Sequence, residues 1–388
     1  MRVLQIIHSF YSGGAEALVK DYLLYMKKMG VDCRALCYNY RKDSPFTKQL
    51  EDAGVTVMYA LDGLPSWLSD LRILYKIAGK VCFYLETKRA IHQWKPDVIH
   101  AHLQVNRYLC YSLGKKPFYS ESGKRVALWY TAHSEPDALW YKKQTPLEFI
   151  KSKTELHATK KLVRYHKMRF IALHDRMRED INQIFHVENT VVLNNGIDFE
   201  RFEKLRPSCE VRADLNIPEN AFLVGHVGRM SGEKNHGKII QVFKEVHKRI
   251  PNSYLLLIGS GKLEGEIRNN IAESGLQDCT IILSNRGDVP DLMNAMNVFL
   301  FPSIYEGLGI VLIEAQKCGV PCVISEAVPR RAIISNYVRR MELSSDDKKW
   351  ADAVTIPFPP NIIYENLEDW DMRHVTEKLL TLYNGEQI

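Results

Sequence analysis

At 388 residues, 46% hydrophobic and 25% charged, the chain has the length of two or three domains and the composition of a globular protein. That balance excludes wholesale disorder, collagen and a disulfide mini-scaffold, and no uncharged apolar run approaches the ~18–20 residues of a membrane span. The net charge of +6 hides an asymmetry: residues 1–187 hold 30 Lys and Arg against 18 Asp and Glu, and residues 188–388 hold 22 against 28. The first half therefore carries the sign that attracts anionic lipid, phosphate or nucleic acid.

Strand and helix signals alternate along the chain. Residues 2–7 read as a buried strand, followed by a Gly13-Gly14 loop and a helix over 15–29 whose stripe is Leu18, Tyr22, Tyr25 and Met29. Gly30 suits the position just past that helix. Strands follow at 31–37 and 55–59, a helix at 70–93 ended by Pro96, then strands at 97–101, 127–131, 169–173 and 190–193. Asn194-Asn195-Gly196-Ile197-Asp198 is a turn signal. Residues 199–220, polar and containing Pro207 and Pro218, read as a linker. A second series opens at 221–228. It continues with a helix at 236–249, a strand at 254–258, a Gly259-Ser260-Gly261 turn and a helix near 262–274. Strand 280–283, helix 289–295, strand 298–301, helix 308–318 and strand 322–325 complete it. A last helix spans about 368–383. Short apolar strands alternating with helices imply parallel sheets covered on both faces, hence two Rossmann-like α/β domains. Ligands in such sheets sit beyond the carboxyl ends of the strands, so a cleft between two facing edges is the expected site.

The eight cysteines are dispersed and no C-x-x-C occurs, which predicts buried reduced thiols and no zinc site. The start, Met1 to His8, is too short and polar for a secretory leader, so a cytoplasmic location is expected.

Four groups of residues carry chemistry. In Pro302-Ser303-Ile304-Tyr305-Glu306-Gly307-Leu308-Gly309, followed by Glu314, two carboxylates flank a strand–loop–helix junction. The glycines admit a ligand close to the backbone, the helix start suits a phosphate, and each carboxylate can accept from vicinal hydroxyls. By itself the pattern reads more readily as one capping and one surface glutamate. Arg229 and Lys234 fall just beyond the strand that opens the second half, where two cations can neutralise a diphosphate without a metal. Read alone they are equally a charged loop. Ser12-Gly13-Gly14-Ala15-Glu16 is not a G-x-G-x-x-G fingerprint, and a tight turn is the simpler reading. His100, His102 and His133 lie at strand ends; His133 is best placed to meet a ligand, and His100 reads as a core residue. No H-x-x-x-H or H-E-x-x-H helix is present, so no catalytic metal is expected.

Taken together these residues resemble the retaining glycosyltransferases of family 4, which have the GT-B fold, and most of all the exopolysaccharide and capsule transferases of the EpsF-like group. The resemblance runs over nearly the whole chain, through Gly13-Gly14-Ala15-Glu16, Lys95 to His100, the His133 loop, Asn195 to Asp198, Gly228-Arg229, Lys234, Asp288-Val289-Pro290, and Pro302-Ser303 to Glu306 and Glu314. It implies an acceptor-side domain of residues 1–195 plus 368–388 and a nucleotide-sugar domain of 196–367, their sheets facing across a cleft. It implies that Arg229 and Lys234 hold the diphosphate of a donor, with UDP the expected nucleotide, and that Glu306 contacts the sugar. Gly307, Leu308 and Gly309 lie by the phosphates, Glu314 binds the ribose, and Arg286 lies near the base. Gly13 and Gly14 approach the diphosphate from the first domain and His133 reaches the sugar. Catalytic roles fall to Glu306, His133, Arg229 and Lys234, with no cofactor and no metal.

The sequence departs from the family at Asn235, where Gly is usual, at Ser284 and Asn297, and over Glu326 to Arg331, where a Gly-Gly-x-x-Glu is missing.

The expected reaction moves a hexosyl group to a cell-surface polysaccharide or a polyprenol-linked acceptor. A GT-B epimerase and a non-catalytic sugar-nucleotide-binding partner protein are the alternatives. Residues 140–169 hold nine Lys and Arg against Glu148 and Glu155. At helical spacing Lys153, Lys160, Arg164 and Lys167 share a face, with Leu156, Val163 and Phe170 beside it, which suits a peripheral contact with an anionic inner leaflet as well as an ordinary basic surface. Residues 64–85, with Trp67, Leu71, Leu74, Tyr75 and Phe83, read as core rather than as an apolar acceptor site. No module for nucleic acid is visible.

Overall fold

The computed structural model describes residues 1–10, 14–39, 44–61, 71–134, 136, 140 and 145–386. The chain divides into two compact units, Met1–Gly196 with Asp369–Ile388, and Ile197–Glu368. Gly13, Trp67, Lys142 and Lys143 lie outside the described residues.

The first unit runs β1 (Arg2–Ser9), α1 (Gly14–Lys28), β2 (Asp32–Asn39), α2 (Pro45–Asp52), β3 (Thr56–Tyr59), α3 (Arg72–Trp94), β4 (Val98–His102), α4 (Asn106–Leu113), β5 (Ala127–Thr131), α5 (Pro146–His166), β6 (Arg169–Ala172), α6 (Asp175–Phe185) and β7 (Val191–Val192). Its seven strands are all parallel in the order β3-β2-β1-β4-β5-β6-β7. Successive strand residues point to opposite faces, so each strand feeds two cores. Leu4 and Ile6 join Phe83 and Ile91 of α3, Leu109 of α4, Leu162 of α5 and Ile181 of α6. Val3 and Ile7 join α1 and the final helix on the other face.

The second unit runs α7 (Ser208–Asp214), β8 (Phe222–Val227), α8 (His236–Arg249), β9 (Ser253–Ile258), α9 (Glu264–Glu273), β10 (Thr280–Leu283), α10 (Val289–Asn294), β11 (Val298–Phe301), α11 (Ile310–Lys317), β12 (Cys322–Ser325), β13 (Val338–Met341) and α12 (Asp347–Thr355). Its six strands are parallel in the order β10-β9-β8-β11-β12-β13. The chain then returns to the first unit as α13 (Met372–Tyr383), whose Met372, Val375, Leu379 and Leu382 share the core of α1. The turn at Asn195-Gly196 needs its glycine, because a Cβ there would meet the Met372 Cα at 2.8 Å.

Several expectations are corrected. Residues 199–220 are not a free linker. Phe199, Phe202 and Val211 are buried, and the buried Arg212 guanidinium donates to the carbonyls of Ala295, Glu219 and Ala221 and to Asn297 Oδ1. Of the stretch 64–85, the described residues from Leu71 onward are not simply core. Phe83 is buried, but Leu71 just before α3, and Leu74, Ile77, Val81 and Leu85 along it, are each about half exposed. The basic helix stops at His166, with Lys167 left-handed (φ 54°) as its cap, so Phe170 belongs to β6 and the core. All eight cysteines are free thiols, but only Cys33, Cys37, Cys279 and Cys322 are buried; Cys82, Cys110 and Cys318 are half-buried and Cys209 is exposed.

Candidate functional site

Both sheets reverse direction of growth once, between β1 and β4 in the first unit and between β8 and β11 in the second. In open α/β sheets ligands bind at such switch points. In the second unit the expected charged residues gather there. Arg229 follows β8 and Lys234 sits in the next turn; Glu306 lies in the β11–α11 loop. Lys234 Nζ stands 2.5 Å from Glu306 Oε1, with the two side chains only 14% and 10% exposed, and 4.9 Å from the Phe301 ring centroid. The backbone ties the same two loops: Ile304 N donates to Glu233 O at 2.8 Å and Asn235 Nδ2 to Pro302 O at 3.1 Å. Arg229 is exposed, and its guanidinium makes no hydrogen bond or ion pair among the described residues.

The departure at Asn235 has a local reason. Its φ is 57°, a left-handed conformation that glycine adopts freely and asparagine tolerates best among the rest. Asn297 lies away from this edge, at the start of β11, where its Oδ1 accepts from Leu223 N at 2.7 Å and from Arg212. That acceptor role needs no negative charge. In the Glu326–Arg331 segment, Glu326 accepts from Leu343 N at 2.7 Å and Val328 is buried, so it packs as structure.

Helix α11 starts at Ile310, later than the sequence implies, because Gly309 takes φ 81° at the cap. Glu314 therefore lies just past the first turn, not two turns in. Gly307 is exposed and Leu308 half-buried before that cap. Arg286 is engaged by Asp288, its Nε 2.7 Å from Oδ1 and a second N–H on Oδ2, in the exposed β10–α10 loop. Gly259 is required by packing: a Cβ there would meet the Gly228 carbonyl oxygen at 2.0 Å.

Two histidines unremarked in the sequence lie beneath this edge. His226 on β8 is fully buried, its Nδ1 2.9 Å from Leu300 O, and its ring lies 4.9 Å from that of His236 at the start of α8. Burial, with the Lys234 charge as a lesser cause, holds His236 down at about 4. A histidine inside the apolar run AFLVGHVG was the available signal.

The first unit dresses its edge differently. Gly14 opens α1 in open space: a Cβ there would meet no described atom within 4 Å. His133, just past β5, is brought to His102: His133 Nε2 lies 2.9 Å from His102 Nδ1. His100 is fully buried, as expected. Desolvation lowers His133 to about 4 and keeps His100 and His102 far below their usual range. His8, next to last in β1, has its ring 5.1 Å from that of Tyr38. Burial lowers its pKa, helped by the Lys151 and Arg107 charges. A separate cavity opens at the amino ends of β6 and β7, among Trp129, Arg169 and Leu382, away from the expected residues.

Two sequence families match the chain. Residues 12–201 match "Glycosyltransferase Family 4" and residues 208–355 match "Glycosyl transferases group 1". The chain belongs to the family 4 glycosyltransferases. Among curated relatives, the putative glycosyltransferase EpsF of Bacillus subtilis is 32% identical over 43% of this chain and 44% of its own length. The UDP-Gal:alpha-D-GlcNAc-diphosphoundecaprenol alpha-1,3-galactosyltransferase of Escherichia coli is 28% identical over 43% and 45%. The capsular polysaccharide biosynthesis glycosyltransferase CapM of Staphylococcus aureus is 37% identical over 34% of each. The matched stretches thus span less than half of these relatives. Among solved structures, Anabaena HepE in complex with UDP and glucose is 20% identical with a TM-score of 0.69, covering 99% of this family 4 chain and 100% of that one. WaaG, a glycosyltransferase involved in lipopolysaccharide biosynthesis, is 16% identical with a TM-score of 0.64, covering 99% and 100%. The architecture of this family 4 member is the GT-B fold.

Proposed function

We propose that the chain is a retaining glycosyltransferase that moves a hexosyl group from a UDP-sugar to a lipid-linked or polysaccharide acceptor, using no metal. The observation that carries this reading is the Lys234–Glu306 pair beside the cap of α11, with the exposed Arg229 on the same sheet edge. An ammonium has three N–H donors and Glu306 takes one, so Lys234 keeps donors for a phosphate oxygen while Glu306 keeps an oxygen for a sugar hydroxyl. As the anomeric carbon–oxygen bond breaks, its electron pair goes to the nucleoside diphosphate. Arg229, Lys234 and the amides at the start of α11 stabilise that growing charge more than the ground state. The acceptor oxygen bonds to the same face of the sugar and its proton passes to the departing phosphate. In this reading Arg286 and Glu314 serve the base and ribose, and Gly14 and His133 also contact the donor. The relatives support the donor and acceptor classes: HepE is described with UDP and the E. coli enzyme acts on a diphosphoundecaprenol substrate.

A contact with an anionic membrane is part of this proposal. Helices α3, α4 and α5 pack side by side. Besides the half-exposed apolar row of α3, Tyr111 on α4 is 72% exposed, and Phe149 and Ile150 at the start of α5 are exposed by about half. Lys153, Lys160, Lys161 and Arg164 follow, exposed, on α5. Of the two acids in this region, Glu155 is buried. Apolar side chains beside a cationic row suit the boundary between acyl chains and anionic headgroups. Among the described residues no helix is long and apolar enough to cross a membrane.

The test is incubation with a panel of nucleotide-sugars, with and without a polyprenyl-diphosphate glycan. A product of retained anomeric configuration, formed only with acceptor and in the presence of a chelator, is expected. Isomerised donor without acceptor would make the chain an epimerase. Donor binding without any turnover would make it a binding partner.

A further inference from the structure

A single hydrogen-bonded chain runs along the α13 side of the first sheet. Strand alternation puts Gln5 of β1, His100 and His102 of β4 and Thr131 of β5 on that face, opposite the Leu4, Ile99 and Tyr130 side. His100 Nε2 lies 2.7 Å from Thr131 Oγ1, and His100 Nδ1 lies 2.5 Å from the Tyr383 hydroxyl of α13. Gln5 Nε2 donates to that hydroxyl at 3.2 Å. Gln5 Oε1 lies 2.7 Å from His102 Nε2, and His102 Nδ1 lies 2.9 Å from His133 Nε2. Gln5, His100, His102 and Thr131 are all buried.

The positions of the protons follow from donor and acceptor chemistry. Burial keeps the three imidazoles neutral, and a neutral imidazole has one N–H and one bare nitrogen. The Gln5 carbonyl oxygen only accepts, so His102 carries its proton on Nε2. Its Nδ1 is then bare and accepts from His133 Nε2–H. This leaves His133 Nδ1 as an acceptor, and no described residue hydrogen-bonds to it. On the other branch Gln5 donates to Tyr383, Tyr383 to His100 Nδ1, and His100 Nε2 to Thr131. The orientation of one amide sets the whole sequence. Turning Gln5 over would reverse each bond and leave His133 with Nδ1–H.

We infer that His102, oriented by Gln5, is a positioning residue that holds His133 as its Nε2–H tautomer, so that His133 Nδ1 accepts a hydrogen bond from a hydroxyl of the donor sugar. The catalytic half of this inference rests on the proposed contact of His133 with the donor; the tautomer half does not.

The experiment is a two-bond proton–nitrogen correlation spectrum of histidine-labelled protein near neutral pH, with kinetics on two variants. Nε2–H on His133 is expected in the wild type, a mixture in His102→Leu, and Nε2–H again in His102→Asn, whose side-chain oxygen replaces the lost acceptor. The corresponding kcat falls about ten-fold in His102→Leu, with donor KM nearly unchanged, and is largely restored in His102→Asn, the size expected of one aligned hydrogen bond. Nδ1–H on wild-type His133 overturns the inference, as does a His102→Leu variant with an unaltered His133 tautomer or kcat. The wild-type spectrum needs neither a folded variant nor any transfer activity, so its failure is separate from failure of the proposed reaction.

Discussion

The two sheets share an architecture and differ in what stands at their carboxyl edges. The edge of the second unit is charged: an exposed guanidinium at Arg229 and an ion pair between Lys234 and Glu306. The edge of the first carries a neutral row of imidazoles, whose charge burial suppresses, joined through Gln5 to Tyr383; the Lys151 and Arg107 charges are felt at His8. Fixed charge at a helix start answers a phosphate; neutral donors and acceptors in a set direction answer hydroxyls. The difference teaches that the same parallel sheet is specialised by a handful of side chains beyond its strands.

The largest effect should come from the charged edge. Lys234→Ala or Arg229→Ala is expected to lower kcat/KM by roughly 10²–10³, the cost of removing one preorganised group from a developing charge. The far-ultraviolet circular dichroism and melting temperature should stay near wild type for Arg229→Ala. Full activity in either variant breaks the contrast between the two edges. Glu306→Gln keeps the shape but removes the negative partner of Lys234, and a smaller loss, of order 10-fold, is expected in the same assay, since Gln still accepts from a sugar hydroxyl.

Glu155 sharpens the comparison on the neutral side. Its carboxylate, fully buried, accepts from Asn106 N at 2.6 Å at the start of α4. Desolvation raises its pKa from 4.5 to about 7. The folded protein thus holds this proton more tightly than the unfolded chain. The stabilisation is complete below the unfolded value and is lost as pH rises from about 4.5 to 7, by roughly 3 kcal/mol. Glu155→Gln, which retains the acceptor, should flatten that part of the stability profile in denaturant titrations. An unchanged slope would mean that the carboxyl ionises as freely as in the unfolded chain.

A separate effect concerns the face of the first unit formed by α3, α4 and α5. Reversing Lys153, Lys160 and Arg164 to Glu should weaken co-sedimentation with anionic vesicles, at about 1 kcal/mol per charge removed, without changing binding to neutral ones. Equal binding of both proteins would reduce α5 to an ordinary basic surface.

The strands were legible because each is a short apolar run bounded by glycine, proline or polar residues, as in Thr280–Leu283 and Val298–Phe301. Helix α7 was not. Its segment is polar, and the residue that anchors it, Arg212, is a buried cation satisfied by carbonyls more than 80 residues away, such as Ala295. Strand β13, Val338-Arg339-Arg340-Met341, carries two arginines and sits at the sheet edge, where apolar alternation is not demanded. At the site, residue types and loop positions could be read for Arg229, Lys234 and Glu306. The pairing of Lys234 with Glu306 across 72 residues could not, nor could the link from His100 to Tyr383 across 283, because sequence spacing carries no information about contacts between elements.

The central claim is that the switch point of the second unit binds a diphosphate. Calorimetric titration of the wild-type protein with matched nucleoside diphosphates and monophosphates tests it most directly. The account predicts that at least one diphosphate, UDP first, binds about ten-fold or more tightly than its monophosphate, and that Lys234→Ala erases this preference, since each tenfold is about 1.4 kcal/mol of added charge contact. Equal affinity for the two, or a preference that survives in Lys234→Ala and Arg229→Ala, would contradict it.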